Sequence, residues 1–144
     1  MITEDYIFTV NGKNQEEVLK EISIKAQSLG IVSDVEELYS DLLLREEEGS
    51  TGFGNNIALP HSKCQTITKT AILIARCSNK IEWKAIDNQP IDVCICLLVA
   101  GGNNTVHLQL LSKFARKLIY DDFIQQIKQS SPSELVNVIE EVIK

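Results

Sequence analysis

The sequence predicts an α/β fold: a single domain over residues 1–144, with a mixed, mostly parallel β-sheet sandwiched between α-helices. Two observations carry that expectation. Segments of helical periodicity open and close the chain, while its middle is rich in short apolar runs. The longest of those runs, Val93 to Ala100, is unbroken, as a strand covered on both faces should be. A chain of 144 residues is also long enough to bury about two-thirds of its surface around one core.

Taken in order, Tyr6-Ile7-Phe8-Thr9-Val10 reads as a first strand, closed by the turn signal Asn11-Gly12. An amphipathic helix follows from Asn14 to about Leu29, with Val18, Leu19, Ile22, Ile24 and Ala26 as its apolar candidates and Gly30 as its stop. Ser33-Asp34-Val35-Glu36 has the form of a capping box with Ser33 as the cap. It opens a second helix whose inner face includes Val35, Leu38, Tyr39, Leu42 and Leu43. Thr70 to Arg76, Ile81-Glu82-Trp83 and Ile91 to Val99 are strand candidates, and Asp87-Asn88-Gln89-Pro90 is the turn before the last. Asn104 or Thr105 is placed to cap a helix from about Val106 to Ile119, bearing Leu108, Leu111, Phe114, Ala115 and Leu118. A short helix near Asp122 to Lys128 comes next. The last begins at Ser131-Pro132-Ser133-Glu134, a capping box with proline at the first helical position. No linker or internal repeat interrupts this order.

The net charge of −6 makes duplex nucleic acid and anionic membrane surfaces poor partners. The N-terminus lacks a basic and then apolar leader, and no apolar run can span a bilayer, so a cytoplasmic location without membrane insertion is expected. Cys64, Cys77, Cys94 and Cys96 then read as free thiols in a reducing compartment. Cys94 and Cys96 fall on one face of a strand and serve better as small buried hydrophobes than as a metal pair. Trp83 reads as a core or edge anchor.

The chemistry concentrates between Arg45 and Lys63. Gly49-Ser50-Thr51-Gly52-Phe53-Gly54 leads into Ile57-Ala58-Leu59, which Pro60 stops just before His61. A stiff backbone on this side should hold the His61 ring at a strand end, ready to present a nucleophilic nitrogen. The glycine- and hydroxyl-rich approach offers amides to an anion. His107, the other histidine, lies in the first turn of a helix, where the dipole favours anions. Arg45 can grip a phosphate with paired hydrogen bonds, or can simply close its own helix. Together these residues suit a phosphoryl group better than bond hydrolysis. The loop has neither the Gly-Lys-Ser/Thr ending of a nucleotide phosphate loop nor G-x-G-x-x-G spacing, which argues against ATP as donor and against any nucleotide cofactor. A zinc site of His61, Cys64 and His107 is the competing chemistry, but neither H-E-x-x-H nor paired C-x-x-C is present, so no metal is expected.

Arg45-Glu46, Ser50-Thr51-Gly52 and Gly54-x-x-Ile57-Ala58-Leu59-Pro60-His61 together resemble the active-site signature of the fructose/mannitol-type (type 2) IIA domains of the bacterial phosphoenolpyruvate-dependent sugar phosphotransferase system. His107-Leu108-x-Leu110-Leu111-Ser112 resembles that family's second histidine motif. The likeness covers nearly the whole chain, including Ile81-Glu82-Trp83 and Asn88-Gln89-Pro90-Ile91. Ser62 departs from the Gly, Ala or Cys usual after the histidine, but stays small. The resemblance implies a phosphotransferase that forms a phosphohistidine: His61 accepts a phosphoryl group from the carrier HPr and passes it to a cysteine of a IIB component, which serves a membrane IIC permease. It implies that His107 hydrogen-bonds the phosphoryl group, Arg45 stabilises its charge, and Thr51 helps orient the ring or the phosphate. A fructose-type transporter fits best, with mannitol or galactitol open. A nitrogen-type regulatory IIA protein, signalling by binding targets, is the alternative.

Overall fold

The longest strand pairing sets the architecture. A computed structural model describes residues 1–144. Its elements in order are β1 (Ile7–Val10), α1 (Gln15–Ser28), α2 (Val35–Glu48), β2 (Gly52–Gly54), β3 (Ile57–Ala58), β4 (His61–Ser62), β5 (Ala71–Ile81), β6 (Ile91–Leu98), α3 (Asn104–Lys117), α4 (Asp121–Gln129) and α5 (Pro132–Ile143). β5 and β6 run antiparallel down the centre, from Ala71 opposite Leu98 to Ile81 opposite Ile91. β1 pairs parallel with β5, and both β3 and β4 pair parallel with β6. β2 closes the edge antiparallel to β3. The sheet is mixed and mostly parallel, as expected, in the order β1-β5-β6-β3-β2 with β4 also on β6. No helix is long and apolar enough to cross a membrane.

The two central strands show why their sequence is apolar without alternation. Side chains of a strand point to opposite faces in turn. Leu73, Ala75, Cys94, Cys96 and Leu98 join the core under α1 and α2, with Val18, Leu19, Ile22, Leu38 and Leu42. Ile72, Ile74, Val93, Ile95 and Leu97 join the opposite core under α3, α4 and α5, with Leu110, Phe114, Ile127 and Ile139. Both faces are covered, so both sets must be apolar. Cys94 and Cys96 are fully buried free thiols, in keeping with a role as small hydrophobes.

Local signals place most boundaries, and four expectations change. Asn14 caps α1 through Glu17 N–H (2.9 Å), and Ser131 caps α5 through Glu134 N–H (3.3 Å) with Pro132 at the first position. For α2 the cap is Asp34, accepting from Glu37 N–H at 3.1 Å, rather than Ser33. The Ser33 hydroxyl is drawn instead to Thr66 across the fold. For α3 the cap is Asn103, one residue earlier than expected, accepting from Val106 N–H at 3.2 Å. Ile81 ends β5 and Glu82-Trp83 leave the sheet, because the Trp83 indole N–H turns to the Glu46 carboxylate at 2.9 Å. Ile24 and Leu108 lie outside the cores, 52% and 64% exposed. Arg76, on the sheet face that α4 covers, fastens that helix by donating to the carbonyls of Ile127 (2.9 and 3.1 Å) and Ser130 (2.7 Å), orphan acceptors at a helix C-terminus.

The facing of α3 is open to a direct test. Phe114→Ala should cost about 3–5 kcal/mol of unfolding free energy, since it empties a fully buried site. Leu108→Ala should stay within about 0.5 kcal/mol of the parent. Comparable losses in urea melts would mean that α3 is rotated from the position described.

Candidate functional site

His61 is placed by backbone bonding on either side of Pro60. Leu59 N–H donates to the Thr51 carbonyl (3.0 Å), and the Pro60 carbonyl accepts from Leu97 N–H (3.0 Å). The chain therefore enters β4 at the C-terminal end of β6, with His61 opposite Leu97. The residue is buried, and both ring nitrogens are engaged. Nδ1 lies 2.8 Å from the Leu59 carbonyl, which can only accept, so Nδ1 carries the proton. Nε2 is then left with a lone pair, and that lone pair accepts from Arg45 Nε–H at 3.0 Å. Arg45, one turn from the end of α2, also donates through Nη1 to the Gly49 carbonyl at 2.6 Å. It thus closes its own helix and reaches the histidine at once.

His107 comes to the same place from α3. Its ring centroid is 4.8 Å from that of His61, with the planes tilted by 47°. Its amide is used within the helix, donating to the Asn103 carbonyl at 3.1 Å, so the ring is what it offers. Its Nε2 is buried and has no hydrogen-bond partner. His61, His107 and Arg45 line one cleft of about 290 Å³, together with Asp41, Glu48, Ser62, Lys63 and Cys64. Burial pushes the Cys64 thiol up, away from the thiolate form a metal or a nucleophile needs.

Thr51 and the glycine-rich loop stand one layer back. The Thr51 hydroxyl and amide both donate to the Glu46 carboxylate, the amide at 3.0 Å. The Thr51 carbonyl is the acceptor that aligns Leu59. Three amides of this stretch are already taken: Thr51 N–H by Glu46, Gly52 N–H by the Ser50 hydroxyl and Asn55 N–H by Asp87. Glycine at 52 answers a close approach, since a Cβ there would collide with the Lys84 carbonyl. Asn55 and Asn56, both at positive φ, form the two-residue turn between β2 and β3. The stretch that looked like a phosphate cradle is a tight hairpin that delivers Leu59, Pro60 and His61.

Sequence reasoning named Glu46 and Ser62 within the signature without giving them a role, and passed over Asp41 and Lys63. Glu46 gathers Thr51 and Trp83 on one carboxylate. Asp41 accepts from the Ser62 hydroxyl, which in turn accepts from Cys64 N–H at 3.2 Å. Lys63 donates to the Asn104 side chain at the start of α3. Asp41 stands one helical turn before Arg45 on α2, a spacing common on surface helices that by itself marks no site residue.

The arrangement is a neutral, oriented imidazole with cationic and hydrogen-bonding groups around its unprotonated nitrogen, Nε2. Residues 1–142 match the family model described as the phosphoenolpyruvate-dependent sugar phosphotransferase system, EIIA 2. The chain belongs to this family. As an EIIA type 2 protein it serves phosphoryl transfer in a sugar phosphotransferase system. It is 30% identical over 134 residues to a PTS system fructose-like EIIA component of Escherichia coli K12, with 93% of this chain and 90% of that one covered. It is 33% identical over 141 residues to a nitrogen regulatory protein of Klebsiella oxytoca, covering 96% and 85%. Among solved structures, a complex of enzyme IIAMTL and phosphorylated enzyme IIBMTL from Escherichia coli shares the fold, with a TM-score of 0.76, 18% identity and 99% and 96% coverage.

Both histidines of this EIIA protein hold their protons less readily than the ordinary 6.5. Burial is the main cause for each. At His61 the Leu59 carbonyl and Asp41 oppose the shift and Arg45 and Lys63 add to it; at His107 the neighbouring His61, Lys63 and Arg45 add to it. A folded pKa below the unfolded one means that the unfolded chain binds more protons as the pH falls. The stabilisation is therefore full above about pH 6.5 and is lost as the pH drops below it. Thermal melts between about pH 7.5 and 5.5 should show falling stability, with a shallower fall in the His61→Ala/His107→Ala variant. Equal slopes would show that other groups control acid stability.

Proposed function

We propose that His61 is the phosphoryl carrier: its Nε2 accepts the group from the phosphohistidine of HPr and passes it to a cysteine of a IIB component during sugar uptake, fructose-type uptake first among the candidates. One observation supports this most, the pairing of Nδ1 with the Leu59 carbonyl and of Nε2 with Arg45. The first orients the ring as a neutral nucleophile. The second puts a guanidinium where charge arrives, so Arg45 Nε–H must leave the lone pair before attack and can then hold the phosphoryl oxygens. In this reading His107 gives one of those oxygens a hydrogen bond, which its unpartnered Nε2 and the 4.8 Å between the ring centroids support. Thr51 acts through Leu59 and Glu46, holding the strand rather than the phosphate. The protein works in the cytoplasm beside the IIC permease that its IIB partner serves.

A regulatory role on the same chemistry is the second reading, favoured by the 33% identity to a nitrogen regulatory protein. Delivery of phosphate to fructose-type IIB supports transport; phosphorylation-dependent capture of a target without such delivery supports regulation.

Incubation with phosphoenolpyruvate, enzyme I and HPr should add one acid-labile phosphoryl group, and His61→Ala should take up none. Stoichiometric label in His61→Ala would remove the assignment. His107→Ala should still accept label on His61 but hand it on roughly ten- to a hundredfold more slowly, the loss of one charge-assisted hydrogen bond worth about 1.5–3 kcal/mol. His107→Gln, which keeps a donor, should lose less. If His107→Ala accepts no label, His107 is part of the nucleophile and the division of roles fails.

A further inference from the structure

The cleft that holds His61 contains a charge of the wrong sign for a phosphate site. Asp41 lines it beside Arg45, Lys63, His61 and His107. Its carboxylate is anchored by the hydroxyl of Ser62, the residue directly after His61, and Ser62 is only 3% exposed. Asp41 also lies four residues before Arg45 on α2, where the two side chains are neighbours on the helix surface. They are not paired: Arg45 donates to His61 and to Gly49, and Asp41 accepts from Ser62. The hydrogen bond from the buried Ser62 hydroxyl holds this carboxylate at the cleft wall.

We infer that Asp41 weakens the hold of the cleft on the phosphoryl group, keeping the group on His61 exchangeable. The inference rests on His61 being the phosphoryl acceptor. In the transfer, the lone pair of His61 Nε2 forms a new N–P bond as the N–P bond of the donor phosphohistidine breaks. The bonding pair returns to the donor ring, and PO3⁻ is the group that moves. The proton stays on His61 Nδ1, hydrogen-bonded to the Leu59 carbonyl, and handing over to a thiolate reverses the same steps with an S–P bond formed. Arg45 and Lys63 favour the phosphorylated protein, and a carrier held by cations alone would be a poor donor. The anchored Asp41 carboxylate opposes them across the cleft, lowering the stability of the doubly negative phosphoryl group. Glu48 shares the cleft wall but is exposed, so solvent screens its charge more fully.

The test is the equilibrium between phospho-HPr and this protein, read by intact mass after quenching, with melting curves to verify the fold of each variant. Asp41→Asn keeps the size of the side chain and an acceptor for Ser62 but removes the charge. It should raise the equilibrium constant for phosphorylation by about three- to tenfold. Asp41→Glu, which keeps the charge, should stay near the parent. An unchanged or lowered constant in a folded Asp41→Asn would overturn the inference, as would Asp41→Glu behaving like Asp41→Asn. Ser62→Ala breaks the anchor and leaves the charge; if it raised the constant as Asp41→Asn does, the tie between α2 and β4 would be responsible and the inference would fall. Label retained in His61→Ala would instead remove the assignment of His61 on which the inference rests.

Discussion

The bond between His61 Nδ1–H and the Leu59 carbonyl, 2.8 Å long, is the constraint on which the site depends. It spans only two residues, yet it exists because Pro60 sits between them and because both flanks are pinned to the sheet. A ring tethered in this way cannot turn over, so one nitrogen always faces the lining of the cleft as an acceptor. Arg45 answers that lone pair in the resting protein. The imidazole is thereby kept oriented, with both ring nitrogens occupied.

Support for that bond comes from well behind the site. Glu46, next to Arg45 on α2, collects the Thr51 amide, the Thr51 hydroxyl and the Trp83 indole. Three donors on one carboxylate satisfy its charge and fix the loop that carries the Thr51 carbonyl, the partner of Leu59 N–H. α2 thus reaches the histidine strand three ways: Arg45 to the ring, Asp41 to Ser62, and Glu46 to Thr51. The site is held by one helix against one interrupted strand, with α3 supplying the second histidine from the other side.

What the sequence by itself determined is the family and the layering. Runs that are apolar on both faces allow only a sheet covered on both faces, so helices on either side followed. The caps at Asn14 and Ser131 need only neighbours three residues away, and such local bonds are written in local residues. The pairing of Pro60 with His61, the second histidine and Arg45 were visible for the same reason: each is a residue type with few substitutes for its chemistry. Tertiary contacts decided the rest. Ser33 lost its capping role because Thr66, distant in sequence, offered it a partner, and Trp83 left the strand for Glu46. The glycine-rich loop looked like an anion cradle, but Glu46, Ser50 and Asp87 take the amides of Thr51, Gly52 and Asn55, and only the fold brings Asp87 to them. Asp41 carries no signature, since any surface helix bears carboxylates; only the approach of α2 to β4 puts this one beside His61. Bonds between residues far apart in the chain depend on where the fold brings them, and no local pattern encodes that.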